Sequence, residues 1–148
     1  MSGRVKAVPD GFHSVTPFLT ITDAARAVEF YKHVFAATER IRETEPSGKL
    51  SHAEIKIGDS LIMLSDDTSE HAAEYAAKGW SRSPRSLGGT AVALYLYVED
   101  VDAVFDRAVA AGAQVRELVK DRPWGDRMAG VEDPFGHVWY IATRKKGV

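Results

Sequence analysis

His52 and Glu54 are two residues apart in the stretch LSHAEIKI, residues 50–57, and apolar residues alternate with them. In an extended strand, side chains at i and i+2 lie on the same face, so the imidazole and the carboxylate are expected side by side. Either group transfers protons near neutral pH when it is partly shielded from water. The pair is therefore a candidate acid–base site. A structural hydrogen bond, or a pair on an outward face, is the alternative.

A second candidate is RPWGDRM, residues 122–128. Trp124 offers a flat surface, while Asp126 and Arg127 carry opposite charges. An arginine can hold a carboxylate or phosphate through two hydrogen bonds, so this stretch is expected to contact a ligand. In the alternative, Asp126 and Arg127 neutralise each other and Trp124 covers a sheet edge.

The elements that position these residues occur twice along the chain. PFLTITDAARAVEFYKHVFAA and LYLYVEDVDAVFDRAVAAGA each contain an alternating strand, an acidic residue and an amphipathic helix. Asp23 and Asp100 are the matching acids, and both are expected to cap the helices that follow them. Each half then continues into strands that form a hairpin, and Gly58 in the first half matches Gly136 in the second.

This order predicts two βαβββ modules, residues 12–66 and 91–144, in a single α+β domain that spans residues 1–148. The polar linker between them, residues 67–90, is expected to contain one short helix around residues 71–78.

Composition limits the classes of function. The chain has 148 residues, a formal net charge of −2 and no cysteine. Nucleic acid and an anionic membrane are therefore not expected partners. Disulfides, thiolate metal sites and cysteine nucleophiles are excluded, and a cytoplasmic location is expected.

The chain resembles the vicinal-oxygen-chelate superfamily, which includes glyoxalase I, bleomycin-resistance proteins, fosfomycin-resistance enzymes and extradiol dioxygenases. Three stretches carry most of the resemblance: Thr20–Phe35, Tyr97–Ala113 and Asp133–Ile141. HAEIKIGDSLIMLSD and PWGDRMAG are similar to a glyoxalase-like branch. The resemblance implies a curved mixed sheet that forms a cup, and frequently a homodimer. In the enzymes of the family, a His or Gln from the first strand and a Glu from the last strand of each module hold one divalent metal.

Residue by residue, the positions that match these four ligands are Thr16, Ala93, Ile62 and Tyr140. Alanine and isoleucine offer a metal no donor atom, threonine is a weak ligand and tyrosinate is an uncommon one. We therefore expect no metal cofactor. A divalent metal held by displaced ligands, with His52 and Glu54 among them, is the alternative.

Strand alternation places an aromatic set in the cup instead. The predicted ligand-binding residues are Thr16, Phe18, Tyr95, Tyr97, Trp124, Asp126, Arg127 and Tyr140. Such walls suit a small, flat or partly apolar organic molecule. The expected function is metal-free binding of such a ligand. The alternative is a lyase or isomerase that uses His52 and Glu54 as acid and base.

Overall fold

The structure is a computed structural model that describes residues 4–80 and 82–147, without the side chain of His71. The first module forms a four-stranded sheet in the order β1-β4-β3-β2. Its elements are β1 (Phe18–Ile21), α1 (Ala24–Phe35), β2 (Thr38–Thr44), β3 (Leu50–Ile57) and β4 (Ser60–Asp66). β1 is parallel to β4, and the other neighbours are antiparallel.

The second module repeats this topology in the order β5-β8-β7-β6. Its elements are β5 (Ala93–Tyr97), α4 (Val101–Ala110), β6 (Gln114–Asp121), β7 (Asp126–Glu132) and β8 (Val138–Arg144). The linker contains the predicted short helix, α2 (Glu70–Ala77), and a second one, α3 (Pro84–Leu87), that was not predicted. The two βαβββ units and the α+β class are thus confirmed. In the part of the chain that the structure describes, no helix is long and apolar enough to cross a membrane.

One core joins the two modules. It lies on the helix-bearing side of both sheets and contains residues from α1, α4 and the two central hairpins. Trp139 of β8 packs on Phe35 of α1 with ring centroids 4.6 Å apart. The Arg107 guanidinium of α4 donates to the carbonyl oxygen of Val34 at 3.0 Å. Because each module contributes to this core, neither is expected to be stable alone.

Asp133, at the turn between β7 and β8, is the polar centre of this core. Its carboxylate is buried and accepts four hydrogen bonds: from the Tyr31 hydroxyl at 2.6 Å, the Trp139 indole at 2.9 Å, and the backbone N–H groups of Phe135 and His137 at 2.9 and 3.0 Å. A buried charge with this many donors is stable away from water. The Asp-Pro-Phe-Gly turn therefore fastens β8 to α1.

Helix capping differs between the modules. The Asp100 side chain accepts from the N–H of Ala103 at 3.2 Å, as predicted. Asp23 adopts a left-handed conformation and makes no capping hydrogen bond, so the prediction for that residue was wrong. Asp66, at the end of β4, accepts from the N–H groups of Asp23 and Ala24 at 3.0 and 3.1 Å. The N-terminus of α1 is thus capped from a distant strand.

Candidate functional site

The faces of the two sheets away from the core carry the candidate site. In the second sheet, Tyr95 is paired with Tyr140 and Tyr97 with Ala142, so these side chains share one face. Leu94 lies on the opposite face and packs against the core. The predicted orientation of Tyr95, Tyr97 and Tyr140 therefore agrees with the strand register.

Asp126 organises this aromatic face. Its carboxylate is 1% exposed, and one oxygen accepts from the hydroxyls of Tyr95 at 2.7 Å and Tyr97 at 2.9 Å. The other oxygen accepts from the Arg144 guanidinium at 2.9 Å. The Trp124 indole donates in turn to the Tyr95 hydroxyl at 3.1 Å. Four side chains from β5, β8 and the β6–β7 loop are thus held together through one buried carboxylate.

Ionisation keeps this network fixed at neutral pH. The Arg144 guanidinium holds the pKa of Asp126 below its usual range, although burial opposes the effect. Burial, together with the nearby Asp126 charge, raises the pKa of Tyr95, and the hydrogen bond to Asp126 raises that of Tyr97. The carboxylate is therefore ionised while both phenols keep their protons and act as donors.

Tyr140 completes the aromatic face. Its ring lies 6.1 Å from that of Tyr95 and covers Gly130, where an added Cβ would come within 3.2 Å of the Tyr140 ring. The glycine thus leaves room for the ring to lie over β7. Among the described residues the Tyr140 hydroxyl has no hydrogen-bond partner.

A second cluster lies on the corresponding face of the first sheet. Glu54 is 6% exposed and receives a hydrogen bond from the His52 imidazole at 2.9 Å and another from Arg40. The Phe18 ring packs against His52 at 5.7 Å, and the Arg40 guanidinium lies 5.3 Å from the centre of the Phe12 ring. Burial opposes ionisation of Glu54, yet the hydrogen bonds from His52 and Arg40 hold its pKa below the usual range. His52 and Glu54 therefore do share a face and a contact, as the sequence indicated.

Arg127 is not part of the aromatic face, so its predicted position was wrong. The residue lies inside β7 directly after Asp126, and consecutive strand residues point to opposite sides. Its guanidinium binds both oxygens of Asp102 at 2.8 and 3.0 Å and approaches Asp121 at 3.3 Å. Asp126 and Arg127 therefore have separate partners instead of neutralising each other.

Ile62 was also assigned to the wrong face. It pairs with Ile55 and lies in the core, whereas Met63, paired with Phe18, occupies the position that corresponds to Tyr140. Matching Gly58 to Gly136 shifted the alignment by one residue: the β3–β4 turn contains two residues and the β7–β8 connection contains five, so the two glycines do not hold equivalent positions. A shift of one residue exchanges the two faces of a strand.

Two predicted positions lie at the margins of the faces. Thr16 precedes β1, is half-buried and lines a cavity of about 160 Å³ with Tyr95 and Trp139. Ala93 begins β5 and is exposed. With the corrected register, the four positions that match the family's metal ligands hold a hydroxyl, a thioether, a methyl group and a phenol.

This donor set does not fit the family's divalent metal, because a thioether and a methyl group replace two of the imidazole or carboxylate ligands that such a site uses. Within residues 4–80 and 82–147, no group of three or more His, Asp or Glu side chains could hold one.

Sequence reasoning missed Arg40 and Arg144. Neither lies in a motif, and only the strand pairing brings them beside Glu54 and Asp126.

The chain belongs to the Glyoxalase/Bleomycin resistance protein/Dioxygenase superfamily, whose family model matches residues 11–141. It is 45% identical over 128 residues to an uncharacterised protein of Mycobacterium bovis, a match that covers 86% of this chain and 81% of that protein. Among solved structures it is similar to TioX from a Micromonospora species, with 27% identity, a TM-score of 0.65, and coverage of 89% of this chain and 98% of TioX. A glyoxalase-related enzyme from Fulvimarina pelagi has the same fold, with 22% identity, a TM-score of 0.68, and coverage of 89% and 88% of the two chains.

Proposed function

We propose that this protein binds a small, flat or partly apolar organic molecule against the aromatic face formed by Tyr95, Tyr97, Trp124 and Tyr140, without a metal. The observation that carries the proposal is the fixed position of aromatic rings that remain open to solvent. Tyr95 is 42% exposed, Tyr97 58% and Trp124 51%, although buried Asp126 holds them in place. Several exposed aromatic rings that lie together on one face form an apolar patch of the kind that is typical of an interaction site. The family name, which includes resistance proteins, agrees with a binding role.

We also propose that a second copy of the chain completes the cup. β1 and β5 are the edge strands of their sheets, and within the described residues neither has a partner strand on its outer side. The aromatic rings next to β5 are exposed in the single chain, and an exposed aromatic patch of this kind is typical of an interaction site. Light scattering tests this part of the proposal, because a mass of one chain at micromolar concentration would contradict it.

Binding is tested by isothermal titration of naphthalene-2-carboxamide, a flat and uncharged probe. Trp124→Ala is expected to raise its Kd roughly tenfold, because an aromatic contact contributes about 0.5–1.5 kcal/mol beyond the area it buries. Trp80→Ala is the matched control, since Trp80 is 69% exposed and lies in the linker. Equal effects of the two variants would contradict binding at the aromatic face. The metal-free proposal would be contradicted if the purified protein held one equivalent of metal and lost both the metal and its binding of the probe on treatment with EDTA.

A second candidate function, a lyase or isomerase, is favoured by the His52–Glu54 contact. The ionised Glu54 accepts a hydrogen bond from His52 Nε2, which leaves His52 Nδ1 facing away from the pair and able to take a proton from a substrate. Exchange of the α-protons of dihydroxyacetone in D2O tests this chemistry. Exchange that the wild-type protein catalyses and His52→Gln does not would support an enzyme. If the wild-type protein and His52→Gln both give only the exchange rate of buffer without protein, this would count against proton abstraction from such carbonyl compounds.

A further inference from the structure

Arg40 has unused hydrogen-bonding capacity beside the His52–Glu54 pair. Among the described residues its guanidinium makes one hydrogen bond, from Nη1 to Glu54, and its side chain is 45% exposed. A guanidinium carries five N–H donors in a fixed plane. Glu54 and the Phe12 ring therefore hold the group in position while most of its donors stay free for an acceptor from solution.

The backbone of β2 turns Arg40 toward this face. Glu39 pairs with Ile55 and Ile41 pairs with Glu54, so two steps along β2 match one step along β3. Arg40 is the extra residue of a β-bulge, a feature that redirects a side chain and frequently lies beside functional sites. Regular alternation would place Arg40 opposite to Ile41, away from Glu54. The bulge thus brings a cation to the same face as the imidazole.

The surroundings of Arg40 fit a flat anion. Phe18 and His52 form an adjoining wall of two rings, with centroids 5.7 Å apart. Lys56 lies on the same face, two residues beyond Glu54, and adds a second positive charge. Glu43, opposite His52, is exposed, so solvent screens its negative charge.

We propose that Arg40 binds the oxyanion of a planar organic anion, such as an aromatic carboxylate, whose ring lies against Phe18 and His52. This anion site lies on the first sheet, whereas the proposed aromatic face lies on the second, so it adds a second binding surface to the proposed function. Glu54 is a positioning residue in this arrangement. It neutralises part of the cluster's charge and fixes the plane of the guanidinium, so an incoming carboxylate meets donors that are already oriented.

The test compares naphthalene-2-carboxylate with naphthalene-2-carboxamide, which has the same shape and no charge. The wild-type protein is expected to bind the carboxylate roughly 10- to 100-fold more tightly, as for a hydrogen bond to a charged group. Arg40→Met is expected to remove this preference while the Kd of the carboxamide stays unchanged. The control is Arg42→Met, because Arg42 is two residues away on β2, binds Glu39 at 2.8 Å, and is paired with Ala53 on the core side.

Arg40→Met leaves Glu54 buried without its cationic partner, and such a variant can fail to fold. Arg40→Met/Glu54→Gln removes both charges together, and it is expected to bind the carboxamide normally and to lack the preference for the carboxylate. A carboxylate preference that survives in this double variant would overturn the assignment of Arg40. Equal binding of both probes by the wild-type protein would overturn the anion site alone. Failure of both probes to bind would overturn the proposed binding at the aromatic face and this inference with it.

Discussion

Tyr31→Phe is expected to destabilise the protein markedly, although it removes a single oxygen atom. The Tyr31 side chain is fully buried, and its hydroxyl donates to the Asp133 carboxylate at 2.6 Å. The substitution keeps the ring in contact with Trp139 at 5.3 Å and takes one of four donors from a buried charge. A hydrogen bond to a charged group contributes about 1.5–3 kcal/mol. Since each kcal/mol shifts Tm by about 2–4 °C in a domain of this size, we expect a Tm about 3–12 °C lower.

The assay is thermal unfolding followed by circular dichroism, with Tyr140→Phe as the control. Tyr140 undergoes the same chemical change in the second module, but among the described residues its hydroxyl has no hydrogen-bond partner. Its substitution is expected to change the free energy of unfolding by no more than about 0.5 kcal/mol. Equal Tm values for Tyr31→Phe and Tyr140→Phe would refute the role assigned to Asp133.

The pH dependence of the free energy of unfolding gives an independent check on the Tyr31–Asp133 hydrogen bond. Burial and the neighbouring Asp133 raise the pKa of Tyr31 well above its ordinary value. Above about pH 10 the unfolded chain therefore loses this proton while the folded chain keeps it, and stability falls as the pH rises. Tyr31→Phe lacks this loss. The difference in stability between the variant and the wild-type protein should consequently narrow above pH 10.

Three further predictions concern other parts of the structure. Gly136→Ala should destabilise the protein by more than about 1 kcal/mol, because φ is +93° and an added Cβ would lie 2.7 Å from Pro84. Gly58→Ala is the control: φ is +59° and an added Cβ would meet no atom within 4 Å, so it should lower stability clearly less in the same thermal melts. The pKa of Glu54 is lower in the folded protein than in the unfolded chain, so its stabilising contribution is present above about pH 4.3 and is lost as the pH falls through the folded-state pKa. The free energy of unfolding of Glu54→Gln should therefore decline less steeply with acid than that of the wild-type protein. Thr143→Val should lower the free energy of unfolding in urea by about 0.5–2 kcal/mol, because the Thr143 hydroxyl accepts from the first N–H of α4 at 2.9 Å. An unchanged urea midpoint would show that this hydrogen bond to α4 is dispensable.

The sequence predicted the order of elements because each signal is local. Alternation identified the strands, and it placed Tyr95 and Tyr97 on one face of β5 without knowledge of their neighbours. The same rule placed His52 beside Glu54, where the structure shows a hydrogen bond of 2.9 Å. These conclusions held because they needed only the parity of positions within one strand.

The errors arose where a conclusion needed the alignment of two segments. Ile62 was misplaced because the two hairpin connections are not equivalent, and Arg127 because it follows Asp126 inside β7, where consecutive side chains point to opposite faces. Helix α1 is capped by Asp66 instead of the adjacent Asp23 because the chain brings the end of β4 to the helix N-terminus. Each of these outcomes depends on contacts between residues far apart in sequence.

The amino-acid pattern by itself determined the two βαβββ units, the family to which they belong and the aromatic character of the second module. Only the tertiary structure decided which charges meet: Arg144 with Asp126, and Arg40 with Glu54. The physical reason is that periodicity fixes the direction of a side chain relative to its own strand, whereas bulges, turn lengths and the pairing of strands fix what it touches.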